Sequence, residues 1–125
     1  MTDTSLSSEV LTRLESQPNI WFSSVRPDGR PHLTPVWFVW QAGKFYFGID
    51  PKSVKSRNIQ HNPRVALALE DGTNPVIIEG IARLVALPLP ESLIGAFYKK
   101  YEWNLLTEEQ FNQWIEVTPT KWVKA

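Results

Sequence analysis

The sequence contains no cysteine, which excludes disulfides, thiolate zinc sites and cysteine nucleophiles together. An excess of charge of either sign is also missing. Thirteen basic residues balance thirteen acidic ones, so no broad positive field attracts nucleic acid or anionic lipid, and any anion must be caught locally. No stretch approaches the ~20 apolar residues of a membrane span. The start of the chain, Met1 to Ser8, is short, polar and acidic and lacks the basic beginning and apolar run of a secretion signal. The expectation is a soluble, cytoplasmic protein with no nucleic-acid or membrane partner. Histidine is scarce as well: His32 and His61 lie far apart with no acidic cluster beside them, a poor set of metal ligands. No serine sits in a nucleophile elbow, and there is no phosphate-binding Walker loop or dinucleotide glycine fingerprint.

What remains fits one domain, residues 1–125, a length that buries a sizeable core. Six tryptophans exceed what a small core usually absorbs, and tryptophan is enriched at interfaces, so dimerisation is expected. Ser5 to Gln17 carries Leu6, Val10, Leu11 and Leu14 at helical spacing, with serines ahead to cap it and Pro18 to end it. Such a helix suits a barrel mouth. Strand patterns then follow at Ile20 to Val25, Pro31 to Gln41, Lys44 to Ile49, Val65 to Glu70, Val76 to Ala86 and Trp114 to Trp122. The turn Arg26-Pro27-Asp28-Gly29-Arg30 makes a hairpin of the first two. The second has apolar residues on both faces, which suggests a barrel interior within and a covering layer, such as a partner subunit, without. Gly80 inside the fifth marks a bulge or corner. Helical patterns fall at Val54 to His61, along Leu93, Ile94, Phe97, Tyr98 and Tyr101, and at Thr107 to Phe111. Six strands with peripheral helices predict a mainly β fold, a small antiparallel barrel.

Two segments carry possible chemistry. Asp50-Pro51-Lys52-Ser53 ends a strand and opens the helix Val54 to His61, so unpaired amides, a hydroxyl and several cations crowd one turn. Ser53 can donate a hydrogen bond to a phosphate, Lys55 can supply a point charge, and Arg57 or Lys52 can complete the cage. An ordinary capped helix with a solvated basic face would read the same. In Thr34-Pro35-Val36-Trp37, Pro35 lacks the N–H for a ladder bond, so it marks a bulge, an edge, or a place where backbone groups are free for a planar guest. Gly48-Ile49 could pass backbone contacts to the same guest. His32 is read as a hydrogen-bonded structural histidine before a proton donor, and the aromatic stripe Phe97, Tyr98, Tyr101 and Trp103 as packing, or as a cap on a partner's cofactor.

Read in order, Arg26 to Phe38, Ser53 to Asn58, Asn62-Pro-Arg-Val65 and Glu79-Gly-Ile-Ala82 resemble the pyridoxamine 5′-phosphate oxidase-like family, the FMN-binding split barrels. Phe97 to Tyr101, Thr107 to Phe111 and Val117 to Thr120 are similar to its branch of deazaflavin-dependent oxidoreductases. The resemblance implies a six-stranded antiparallel split β-barrel, a homodimer, and two cofactor sites at the interface. It puts Ser53 and Lys55 at the cofactor phosphate, Thr34, Pro35, Val36, Trp37, Gly48 and Ile49 along the ribityl chain and ring, and Arg57 or Asn58 beside them. The cofactor implied is FMN, with the 5-deazaflavin coenzyme F420 as the alternative. The activity implied is hydride transfer between flavin and a small planar or unsaturated substrate; a non-catalytic flavin carrier or sensor fits the same residues. Val54 stands where the true oxidases carry arginine, Thr34 replaces another arginine, and the arginine-rich C-terminal segment is missing, so oxidation of pyridoxamine phosphate itself is not expected.

Overall fold

The computed structural model describes residues 6–125. Helix α1 (Ser8–Ser16) begins where the Ser7 hydroxyl accepts from the Val10 N–H at 3.1 Å, satisfying an amide that a helix start leaves free. The expected beginning at Ser5 lies outside the described residues. Val10 and Leu14 turn inward and are buried.

Among the described residues seven strands form one sheet: β1 (Ile20–Val25), β2 (Pro31–Val36), β3 (Val39–Gln41), β4 (Lys44–Ile49), β5 (Arg64–Leu69), β6 (Ile77–Leu84) and β7 (Gln113–Lys124). The order is β2-β1-β5-β6-β7-β4-β3, and every pairing is antiparallel. The two edge strands are consecutive in the chain, joined only through Trp37 and Phe38, so the sheet curls until its ends lie together. This is a split barrel. The six expected strands become seven because the arm Pro31 to Gln41 breaks at those two residues.

Alternation along the strands fills the interior. Ile20 and Phe22, Phe45, Phe47 and Ile49, and Leu67 and Leu69 are each 4% exposed or less, so the barrel is packed and holds no channel. Phe22 and Phe47 meet across it with ring centroids 4.8 Å apart. Helix α2 (Val54–His61) adds Ile59 to the same cluster as Val10 and Leu14 of α1. The expected bulge is present, with the register of β6 against β7 shifting between Glu79 and Gly80. A Cβ at Gly80 would lie 2.7 Å from both the Thr118 carbonyl oxygen and a Val117 methyl, so glycine is what lets the two strands close.

Outside the barrel, helix α3 (Glu91–Tyr101) covers one half of the sheet. Its Leu93 and Phe97 form a second cluster with Val39, Leu105 and Trp114. The other half of the outer face is bare. On β2 the outward Pro31, Leu33 and Pro35 are exposed in the single chain, since no described element of this chain lies over them; the covering layer expected from sequence would come from outside the chain. Strand β6 is shorter than the predicted Val76 to Ala86. The predicted helix Thr107 to Phe111 is absent: a single 3-10 turn spans Leu105–Thr107, capped by the Asn104 side chain. Glu108 then holds the chain in a turn, its carboxylate accepting from the Gln110 and Phe111 N–H groups at 2.9 and 2.8 Å. None of the described helices is long and apolar enough to cross a membrane.

Candidate functional site

Beside the break between β2 and β3 lies a cleft of about 390 Å³, a size common for small-molecule sites. Six of the sequence-predicted residues line it: Pro35, Val36, Trp37, Gly48, Ile49 and Lys55. They come from β2 and the break after it, from the end of β4 and from the first turn of α2, the last two adjoining because β4 leads through a short turn into α2. Pro35 occupies an edge strand opposite Trp21, the position where a missing N–H costs no internal ladder bond.

At the start of α2, Ser53 is the N-cap and its Oγ accepts from the Ser56 N–H at 3.2 Å. Among the described residues its hydroxyl hydrogen has no protein acceptor. The Ser53 and Lys52 N–H groups turn back onto Asp50, to its carbonyl and its carboxylate at 2.9 and 2.8 Å. The amides of Val54 and Lys55, next along the helix, have no partner within it. Lys55 is half-buried, and among the described residues no carboxylate lies within ion-pair distance of its ammonium. Desolvation lowers its pKa, with the more distant Asp50 charge pulling the other way. A half-desolvated cation without a counter-ion would gain from meeting an anion.

Two further polar atoms have the same character. Thr34 Oγ1 and His32 Nδ1, neighbours on one face of β2, are buried and lack a hydrogen-bond partner among the described residues. His32 is therefore not the internally bonded histidine expected from sequence. Its pKa is lowered by desolvation, then by the positive charges of Lys55 and Arg26. Native interiors seldom leave such atoms unmatched unless the oxygen of a ligand or a water meets them. Lys55 with Ser53 and the free amides of α2 offers donors of the kind a phosphate takes. Of the expected residues, Thr34 and Ser53 are not among those lining the cleft, and Thr34 and His32 keep their unmatched atoms on the adjacent strand β2.

The remaining expected residues stand elsewhere. Val54, Arg57 and Asn58 line a separate, more open depression with Arg26 and Arg30. The Arg57 guanidinium donates to the Lys52 carbonyl at 3.1 Å, and Lys52 itself is exposed. Asn58 is buried and donates to the Ser24 hydroxyl at 3.0 Å, so its amide joins α2 to β1.

Sequence reasoning left out of the site the other wall of the cleft: Trp103, Glu108 and Phe111. The Trp103 indole N–H donates to Glu108 at 2.8 Å. Hydrogen bonds from the Phe111 amide foremost hold the Glu108 carboxyl below its usual range, so this acid is ionised and already spent on shaping its loop. The hint in the sequence was the aromatic stripe ending in Trp103, read as packing or as a cap on a partner's cofactor; Trp103 lines the cleft of its own chain. Gly48 has a reason other than ligand approach: a Cβ there would meet the Trp114 ring at 2.5 Å and the Phe111 carbonyl oxygen at 2.9 Å. The aromatics continue inward, Trp37 stacking on Tyr101 with centroids 4.5 Å apart and planes at 5°, and meeting Trp103 edge-on at 5.9 Å.

Comparison with curated proteins finds no match. Among solved structures, the fold resembles the heme storage protein HutZ of Vibrio cholerae, with TM-score 0.79 and 18% identity over 93% of this chain and 91% of that one. It is similar to an F420 reductase at TM-score 0.72 and 27% identity, covering 91% and 95% of the two chains. General Stress Protein 26 of Bacillus anthracis follows at TM-score 0.69 and 25% identity, covering 89% and 86%. The family model for pyridoxamine 5′-phosphate oxidase matches residues 6–124, which is nearly the whole chain, and the protein therefore belongs to that family of split barrels.

Proposed function

We propose that the chain is a flavin-dependent oxidoreductase that holds FMN in the cleft beside Trp37, with the cofactor phosphate at Lys55. The observation that carries the reading is an uncompensated, half-buried Lys55 ammonium on the wall of an apolar cleft, with the buried, partnerless His32 Nδ1 and Thr34 Oγ1 on the neighbouring strand β2. Ser53 and the first amides of α2 complete the phosphate shell. Thr34, Pro35, Val36, Gly48 and Ile49 follow the ribityl chain and ring edge. When bound, such a cofactor supplies the hydride chemistry. The chain's own part is to bind, to orient and to exclude water, and a small planar or unsaturated substrate would lie over the ring. The deazaflavin coenzyme F420 is the second reading, favoured by the 27% identity to an F420 reductase. Both carry a phosphate, and mass spectrometry of the small molecule released on denaturation decides between them. Visible absorbance after gentle purification, followed by bleaching with a reductant and recovery with substrate, is the expected result. A bound flavin that no reductant or substrate can cycle would leave a carrier or sensor. Heme, the ligand named for the Vibrio neighbour, finds no histidine, cysteine, methionine or tyrosine among the residues lining this cleft, the usual iron ligands.

The reading includes a homodimer. Across four strands the register sets Pro35, Trp21, Ala68 and Ile77 in one outward row, and Leu33 beside them is 59% exposed. That apolar surface lies on the half of the sheet that α3 leaves bare, and it borders Trp37 at the cleft. A second copy covering it would bring its own residues to the open side of the site. Sedimentation of the wild type at twice the chain mass is expected, with Leu33→Asp shifting it to the single-chain value, since a buried unpaired charge is strongly disfavoured. A wild type that sediments as one chain removes the dimer.

A further inference from the structure

The strand break at the cleft is held by residues more than sixty positions away. The Phe38 N–H donates to the Tyr101 hydroxyl at 2.9 Å, and that hydroxyl is 2.7 Å from the Pro18 carbonyl and 3.0 Å from the Phe38 carbonyl, either of which can take its single hydrogen. Lys100 adds a second hold, donating to the Phe38 and Leu14 carbonyls at 3.0 and 3.3 Å and lying 3.8 Å over the Phe38 ring. The backbone groups of Phe38, which no neighbouring strand takes up, are thus satisfied from the last turn of α3. Burial raises the Tyr101 hydroxyl to about 12 against the opposing effect of the Phe38 amide, so it keeps its hydrogen at neutral pH. Its ring does separate work. Trp37 is 48% exposed and would otherwise sample several rotamers, yet the parallel Tyr101 ring behind it fixes the indole plane.

We propose that Tyr101 is the positioning residue of the cleft: its hydroxyl stands in for the missing strand at Phe38, and its ring sets the Trp37 indole as a wall for a planar ligand. The proposal rests on the flavin reading. A wall fixed before binding spares the ligand the entropy of ordering it, which strengthens ring binding without any contact from Tyr101 to the ligand. The phosphate end, built on α2 and β2, is independent of Tyr101.

That separation gives the test. Tyr101→Phe keeps the ring and removes the hydroxyl; Tyr101→Leu removes the stack. Dissociation constants are measured for FMN, for riboflavin, which has the ring without the phosphate, and for inorganic phosphate by NMR titration, together with the near-ultraviolet circular dichroism of the tryptophans. Expected is a weakening of FMN and riboflavin by the same factor, roughly 3- to 10-fold for Tyr101→Phe and more for Tyr101→Leu, with phosphate unchanged and the aromatic dichroism altered. Leu93→Ala, a truncation in the same helix away from the cleft, controls for stability and should leave all three constants in place. Unchanged riboflavin binding in both Tyr101 variants overturns the proposal, as does phosphate weakening in step with riboflavin, which would mean general loosening. A wild type that binds neither flavin nor F420 removes the parent reading and this one with it; a wild type that binds, with Tyr101 variants that bind equally, removes this one alone.

Discussion

Phe47→Ala is expected to destabilise the protein by about 3–5 kcal/mol. Phe47 is fully buried in the middle of β4, with Phe22 tilted against it from the opposite wall, and deleting the ring removes both its transfer free energy and its contacts. A curled sheet relaxes poorly into such a hole, because β4 is held between β3 and β7 and the facing β1 between β2 and β5. Domains of this size have about 5–15 kcal/mol in total, so the loss takes a large share of it. Urea denaturation should register a lower midpoint at unchanged slope. Leu106→Ala is the matched control: Leu106 is 76% exposed, and its truncation should stay within about 0.5 kcal/mol. A shift below about 1 kcal/mol for Phe47→Ala would mean that the barrel interior is not the main source of stability. The effect also bears on the site, since Gly48 and Ile49 of the cleft are carried by the strand that Phe47 anchors.

Much of this architecture was legible because local chemistry and tertiary fold agree. Asp-Gly at residues 28 and 29 made the first hairpin, Ser53 capped α2 as a serine in that position should, and Gly80 lay at the bulge where a side chain would collide. The break at Trp37 and Phe38 was not legible, and the reason is physical. His32, Thr34, Val36, Phe38 and Trp40 alternate without interruption, so the local pattern is that of a single long strand. Tyr101 and Lys100 override it, and nothing within reach of a local window reports residues more than sixty positions away. The Glu108 loop failed for a different reason. A threonine followed by two acids is a sound helix start, but here the carboxylate of Glu108 binds the amides of its own loop and the Trp103 indole instead, and that choice creates one wall of the cleft. Half of the candidate residues line the cleft, while its far wall depended on a turn that propensity assigned to a helix.

Lys55→Ala should separate function from stability in the way Phe47→Ala cannot. In the folded chain the Lys55 ammonium is half-buried and desolvated, with no ion-pair partner at its head among the described residues, so removing it deletes an unfavourable burial along with some apolar contact from its stem. Stability without ligand should stay level or rise slightly. Affinity for FMN should fall about tenfold or more, since a charge-assisted contact to phosphate is worth roughly 1.5–3 kcal/mol. The two effects combine in one thermal measurement, because a ligand stabilises the fold in proportion to the logarithm of its concentration over its dissociation constant. At a fixed FMN concentration the variant should therefore gain less on ligand addition than the wild type does, from an equal or higher starting midpoint. Riboflavin, lacking the phosphate, should stabilise both proteins equally. Full retention of FMN affinity would move the phosphate away from Lys55, with Lys52→Ala then the substitution to lose it, and equal losses for FMN and riboflavin would mean that Lys55 touches the ring and not the phosphate.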